Sequence, residues 1–327
     1  MLLTIFNRYF IPMLLVTTTV LVVPPQVHAN RQETRAMLAR EVGAIAKKTV
    51  VRIESSDGSF GSGVIIGRTE RGSKNIYTVL TAGHVVNCPE CKYQVVTPIP
   101  LDRSSEKRRI KLDLDMQNRF QKLPDVDLAM VSFESSNTFT IGTIGNSEDI
   151  DEGSPVYVAG FPKPGKAIKQ IVFQFTGGMI SSRVEVGDID PKNRNNGYDL
   201  AYTNITRVGM SGGPVFDAAG RIVAIHGQGD RNNQSSQSPE SEARYGSPEE
   251  EKTGFNLGIP MQTFLKLQPQ AIDVVGAKID DSPLNYQLLD RSFTIGTPDQ
   301  KFIQKIRTRG GVSPLIDVTK VNEQTID

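Results

Sequence analysis

The chain has 327 residues, with 37 Lys and Arg against 36 Asp and Glu, and a formal net charge of +1. That balance excludes a nucleic-acid binder working through a basic field, and two Cys exclude a disulfide-dense scaffold and a four-cysteine zinc site. Apolar residues at 38% and charged residues at 22% describe an ordinary globular chain, long enough for one large domain or two of moderate size.

Residues 1–29 read as a secretory signal. Arg8 supplies positive charge, Phe10 to Val23 is apolar, Pro24 and Pro25 break the run, and Val27-His28-Ala29 offers a small-residue cleavage site. The run is shorter than the roughly 20 residues a membrane span needs. The alternative is an uncleaved amino-terminal anchor, the one way this chain would touch a membrane. Either way the remainder is exported, to a secreted or periplasmic location. His28 falls in this segment, which leaves His84 and His226.

A helix is predicted over 31–47, inside an amino-terminal segment 30–48, because Ala36, Leu38, Val42, Ile45 and Ala46 recur at helical spacing among charges. From Thr49 the pattern changes to short apolar runs bounded by Gly, Pro, Asn, Asp or Ser: Val50–Ile53, Gly63–Ile66, Ile76–Leu80, Leu128–Phe133, Val156–Ala159, Ile171–Phe175 and Ile222–Ile225. Such runs indicate an all-β sandwich or barrel, and no amphipathic helices of convincing length lie between them to build a doubly wound fold. The basic run Arg103 to Lys111 reads as a solvated loop. Asp230 to Thr253 is polar, with six acids and three bases, and reads as a mobile loop. Residues 269–327 form a carboxy-terminal extension of unassigned role, in which Asp299 caps a short helix through Phe302, Ile303 and Ile306.

Three strings carry chemistry: Thr81-Ala82-Gly83-His84, Asp125-Val126-Asp127-Leu128-Ala129, and Gly209-Met210-Ser211-Gly212-Gly213-Pro214. A serine flanked by glycines sits on backbone that can turn sharply and aim consecutive N–H groups into one cavity, which is what a tetrahedral oxyanion requires. The hydroxyl needs an adjacent base, and His84 follows a predicted strand inside a turn. The imidazole needs a shielded carboxylate to fix its tautomer, and Asp127 stands just before an apolar strand, with Asp125 two residues away. Taken singly, each string also reads as an ordinary turn; the combination is far more specific.

In these strings the chain resembles the trypsin-like (chymotrypsin-fold) serine proteases. It is most similar to their bacterial Deg-type branch in Gly61-Ser62-Gly63-Val64-Ile65-Ile66, Gly177-Gly178-Met179-Ile180-Ser181-Ser182, Val223-Ala224-Ile225 and Gly254-Phe255-Asn256-Leu257-Gly258-Ile259-Pro260. The likeness spans roughly 45–268. It implies an all-β domain over 49–268, built as two six-stranded antiparallel barrels with a boundary near 135–145 and the site in the cleft between them. It implies His84 as general base, Asp127 as its partner, Ser211 as nucleophile, and the N–H groups of Gly209 and Ser211 as oxyanion hole. It puts the substrate pocket at Ile205, Thr206, Gly227 and Gly229, with a floor near Ile205. No residue there is charged, so an aliphatic or other uncharged side chain is expected before the scissile bond. No cofactor and no metal are implied; the partners are protein or peptide substrates. Met210 departs from digestive members of the family, which carry an Asp there that pairs with a newly cut amino terminus. No PDZ module is recognisable after Pro269.

Cys88 and Cys91 are expected as a small structural disulfide. The metal reading lacks further partners and the redox reading lacks a βαβ setting. His226 reads as a structural histidine. Two rivals stand beside the peptidase. One is a G-x-S-x-G nucleophile elbow of an α/β-hydrolase esterase, which Pro214-Val215-Phe216 disfavours by continuing as a strand; the other is a trypsin-fold peptide-binding scaffold without catalysis.

Overall fold

Short apolar runs punctuated by Gly, Asn and Asp form strands because each is too short to bury itself and must pair with a neighbour. The computed structural model describes residues 33–102, 109–117, 119–183, 196–229, 255–270 and 275–286. In chain order the elements are β1 (Thr34–Arg35), α1 (Ala39–Thr49), β2 (Val50–Ser55), β3 (Phe60–Arg71), β4 (Lys74–Ala82), β5 (Tyr93–Val96), β6 (Lys111–Asp113), β7 (Gln121–Lys122), β8 (Leu128–Ser135) and β9 (Thr143–Gly145). There follow β10 (Pro155–Gly160), β11 (Gln174–Arg183), β12 (Leu200–Tyr202), β13 (Pro214–Phe216), β14 (Ile222–Gln228), β15 (Asn256–Pro260), α2 (Met261–Leu267), β16 (Lys278–Asp280) and β17 (Leu284–Asn285).

Two large sheets form the two halves of a trypsin-like double barrel, and β1 pairs with β17 in a small third sheet. The second contains a closed ring of six strands, β13-β10-β11-β12-β15-β14, sealed by the β13–β14 pairing. The first is a seven-stranded sheet in the order β6-β5-β2-β3-β4-β8-β7. The alternation within single strands explains why these runs read as continuously apolar. Along β8, Ala129, Val131 and Phe133 point into the core of the first sheet with Ile53, Ile65 and Val79. Leu128 and Met130 point the other way, into a core shared with Ile222, Ile225 and Phe264 of the second half. A third core, with Val158, Leu200, Met210 and Val223, fills the ring.

Several expectations need correction. The first half is not a six-stranded barrel: its edge strands β6 and β7 do not pair among the described residues. Instead the sheet curls, and the Asp115 N–H just past β6 donates to the Ser132 carbonyl of β8 at 2.8 Å. Two-residue β7 ends at Lys122, and the Leu123 N–H donates to the Leu128 carbonyl at 2.9 Å across the turn that carries Asp127. The first helix runs Ala39–Thr49, not 31–47. Thr34 and Arg35 are claimed by parallel pairing with Leu284 and Asn285, and the Glu41 carboxylate accepts the Leu38 N–H at 2.8 Å, fixing the helix start. Of the run Ile171–Phe175 only Gln174 and Phe175 belong to a strand. Helix α2 and the strap β16–β17 were not anticipated. The strap is tied by Arg221, whose guanidinium donates to the Asp217 carboxylate at 2.7 Å and to the Ser282 carbonyl at 2.5 Å. The segments 1–29, 230–253 and 299–306 lie outside the described residues. Among the described residues no helix is long and apolar enough to cross a membrane.

Candidate active site

Strand register brings the first two motif residues together. Ala82, the last residue of β4, pairs with Leu128, the first of β8. The residues just beyond those ends are therefore neighbours. His84 lies in the short 3-10 turn Gly83–Val86, and Asp127 immediately precedes β8. The Asp127 carboxylate accepts the His84 backbone N–H on Oδ1 at 2.7 Å and the Nδ1–H of its ring on Oδ2 at 2.5 Å. This fixes the ring orientation and leaves Nε2 as the free nitrogen. Asp125 is exposed and occupies the left-handed region at φ 59°, outside this arrangement.

Tyr198 completes the carboxylate's shell: its hydroxyl donates to Asp127 Oδ2 at 2.5 Å. Burial pushes the Asp127 carboxyl up, but the hydrogen bonds from His84 and Tyr198 and the His84 charge outweigh it and hold it below the ordinary range. Tyr198 is driven the other way, well above the ordinary phenol range, by burial and by the adjacent carboxylate. The sequence carried no signal for Tyr198, which reaches Asp127 only through the fold.

The serine turn is built from pinned carbonyls. In a planar trans peptide the N–H and C=O point in opposite directions, so fixing one aims the other. The Val208 carbonyl accepts Lys163 N–H at 2.7 Å, which turns the Gly209 N–H away from Lys163. The Met210 carbonyl accepts Gly213 N–H at 2.9 Å, which does the same for the Ser211 N–H. Neither N–H donates to a backbone carbonyl among the described residues. Gly209 has φ 95°, and a Cβ there would lie 2.6 Å from the Phe161 carbonyl, so glycine is required. Buried Ser62 ties the turn to the first half: its N–H donates to the Ser211 carbonyl at 2.8 Å and its hydroxyl to the Gly209 carbonyl at 2.8 Å. Met210 is wholly buried in the ring core, so the turn is anchored by apolar packing where digestive members would place a charge.

His84, Asp127 and Ser211 line one cavity of about 590 Å³. The Ser211 hydroxyl donates to the Gly227 carbonyl at 3.2 Å and makes no hydrogen bond to His84 here. Ile205, Thr206, Gly227 and Gly229 line the same cavity, together with Arg207, His226 and Asn256. Ile205 is 76% exposed, so it stands at the mouth and not at the floor. The polar wall is Thr206, whose hydroxyl donates to Asn256 Oδ1, and Asn256, whose amide donates to the Asn204 carbonyl. The Cys88 and Cys91 sulfurs are joined in a disulfide. Among the described residues the one His, Cys, Asp and Glu cluster close enough to hold a metal is this pair with Asp57, and a disulfide offers no thiolate.

This division of labour, an imidazole and carboxylate from one sheet and a glycine-rich serine turn from the other, is the plan of a trypsin-fold peptidase. The family described as trypsin-like peptidase domain matches residues 61–225, just over half of the 327 residues, and the chain belongs to it. No curated protein matches the chain. Among solved structures, Deg5 is 18% identical over 73% of this chain and 95% of its own, with a TM-score of 0.49. Two structures of the HtrA-type protease AlgW, each with a tripeptide and one of them a variant, are 18% identical with TM-scores of 0.50. They cover 74% and 72% of this chain, which spans only 65% and 64% of theirs. At this identity the likeness is one of fold.

Proposed function

We propose that this protein is an exported serine endopeptidase that hydrolyses protein or peptide substrates through an acyl-enzyme. The observation that carries the reading is the cavity shared by the Asp127-paired imidazole of His84 and by Ser211, on a turn where the Gly209 and Ser211 N–H groups donate to no backbone carbonyl among the described residues. Rotation about the Ser211 Cα–Cβ bond turns Oγ from Gly227 toward His84. Oγ then attacks the substrate carbonyl carbon while His84 Nε2 takes its proton. The oxyanion is held by the Gly209 and Ser211 N–H groups. His84 returns the proton to the leaving amine as the C–N bond breaks. Water, deprotonated by the same nitrogen, releases the acyl group and restores Ser211. Asp127 stabilises the imidazolium throughout. No cofactor enters any step.

The bond from Ser211 to Gly227 favours a second reading, a peptide-binding scaffold whose serine does not attack. A fluorescent serine-directed phosphonate separates the two. The peptidase reading expects labelling of the wild type and none of Ser211→Ala; an unlabelled, folded wild type favours the scaffold.

A further inference from the structure

The end of the basic run, Arg109 to Lys111, is not the solvated loop its composition suggests. Arg109 is half-buried just before β6, and its guanidinium donates to the Thr97 carbonyl at 3.1 Å. Strand register adds further charges at this edge of the first sheet. Arg52 of β2 pairs with Val96 of β5, and Val96 pairs with Lys111 of β6, so the three side chains share one face. The Arg109 and Arg52 guanidinium carbons lie 4.8 and 5.9 Å from the centroid of one ring, that of buried Phe161.

The ring's negative face offsets part of this charge but neutralises neither guanidinium. The acids at this edge are already engaged. The Glu54 carboxylate of β2 accepts Arg52 and, at 2.7 Å, Lys111, while Asp113 of β6 accepts the Gln94 amide at 2.7 Å. Arg109 has no carboxylate partner among the described residues, and burial and then the Arg52 charge push its pKa down. Arg52 Nε is buried and donates to nothing among the described residues. A buried guanidinium N–H without an acceptor, beside a second guanidinium without a counter-ion, calls for an oxyanion.

The uncompensated charge selects its kind. A carboxylate brings one negative charge and two coplanar oxygens that match the fork of a guanidinium. A phosphate dianion would bring two charges against the neighbouring Glu54 carboxylate. The segment leaving Thr97 adds Ile99 and Leu101, 37% and 50% exposed, apolar side chains that a peptide can cover. We propose that Arg52 and Arg109, over the Phe161 ring, form a carboxylate-binding site for a polypeptide ligand, taking an acidic side chain or a chain terminus. Arg52 Nε–H and the remaining N–H groups of Arg109 donate to the carboxylate. None of the three residues lines the cavity of Ser211, so the site stands independently of the peptidase reading.

The test reads the arginine Nε–H signals of the isotope-labelled full chain by nuclear magnetic resonance. The probes, at constant ionic strength, are the α-amides of N-acetylglutamate and N-acetylglutamine, N-acetylalanine as a chain terminus, and inorganic phosphate. The glutamate amide should bind about 10- to 100-fold tighter than the glutamine amide, the range of charge-assisted hydrogen bonds, and should shift the Arg52 Nε–H signal. Arg109→Gln should lose that preference while circular dichroism stays unchanged. Tighter binding of N-acetylalanine than of the glutamate amide supports a site for a chain terminus, and the reverse supports a site for a side chain. Equal binding of the glutamate and glutamine amides overturns the inference, as does tighter binding of phosphate or a preference that survives in Arg109→Gln. If Arg109→Gln does not fold, the wild type decides. An Arg52 Nε–H signal that moves with the glutamate amide and not with the glutamine amide supports the site, and one that stays in place overturns it.

Discussion

The ring of the second half and the curled sheet of the first handle their functional residues in opposite ways. The ring sets Ser211 on a turn whose neighbours are buried and pinned, with Met210 sunk into the barrel and the Asp217–Arg221 pair sealed beneath the strap. The open sheet carries His84 and Asp127 just past strand ends, with side chains 46% and 17% exposed. The difference separates two requirements. In the proposed chemistry, an oxyanion hole must be rigid before substrate arrives, whereas a base must exchange protons with water and with two successive partners. Ser62, on β3 of the open sheet, bonds to the Gly209 and Ser211 carbonyls of the serine turn and keeps the halves in step.

The largest expected effect would break this partition if it failed to appear from both sides. His84→Ala and Ser211→Ala should each lower kcat by about 10⁶-fold, read by steady-state hydrolysis with circular dichroism confirming the fold. Next is the ring's buried pair. Arg221→Ala leaves Asp217 uncompensated and should cost about 3–5 kcal/mol in urea unfolding, with the strap's Asp280 and Ser282 carbonyls losing their donor. His226 gives the ring an acid-sensitive stability. Its folded pKa of about 4 lies below the ordinary 6.5, so the unfolded chain takes up the proton first. Stability is full above the ordinary value and falls as pH drops toward 4, by roughly 3 kcal/mol in all. A His226→Phe variant should show a flatter slope across that window.

Tyr198→Phe sharpens the contrast on the open side. Removing a hydrogen bond to a carboxylate costs about 1.5–3 kcal/mol, so kcat should fall about tenfold or more. The loss also lets the Asp127 carboxyl rise. A depressed carboxyl stabilises the fold above its ordinary range and loses that contribution as pH falls through the folded value, so in the variant the loss should begin at higher pH. A wild-type acid limb in the variant's pH–rate profile would remove Tyr198 from the site. The smallest effect belongs to the exposed pair Arg71–Glu134 on the open sheet: Arg71→Ala should leave the urea midpoint where it was.

Much of this was legible because the period of two and the turn residues are local. β2, β3, β4, β8, β10 and β14 announce themselves as apolar runs, and His84, Asp127 and Ser211 stand in strings whose chemistry depends on neighbours. The start of α1 was not legible, because Thr34 and Arg35 pair with residues 250 positions away. Two-residue and three-residue strands such as β7, β12 and β16 hold no period to detect. The place of Tyr198 was hidden for a related reason. It is an unremarkable residue until the fold supplies a carboxylate, and no spacing encodes that encounter.

Met210 has a consequence beyond anchoring. An apolar plug in place of a charge beneath the serine turn means that the shape of the turn does not depend on an ion pair at position 210. Raising salt should therefore leave the geometry of the turn untouched.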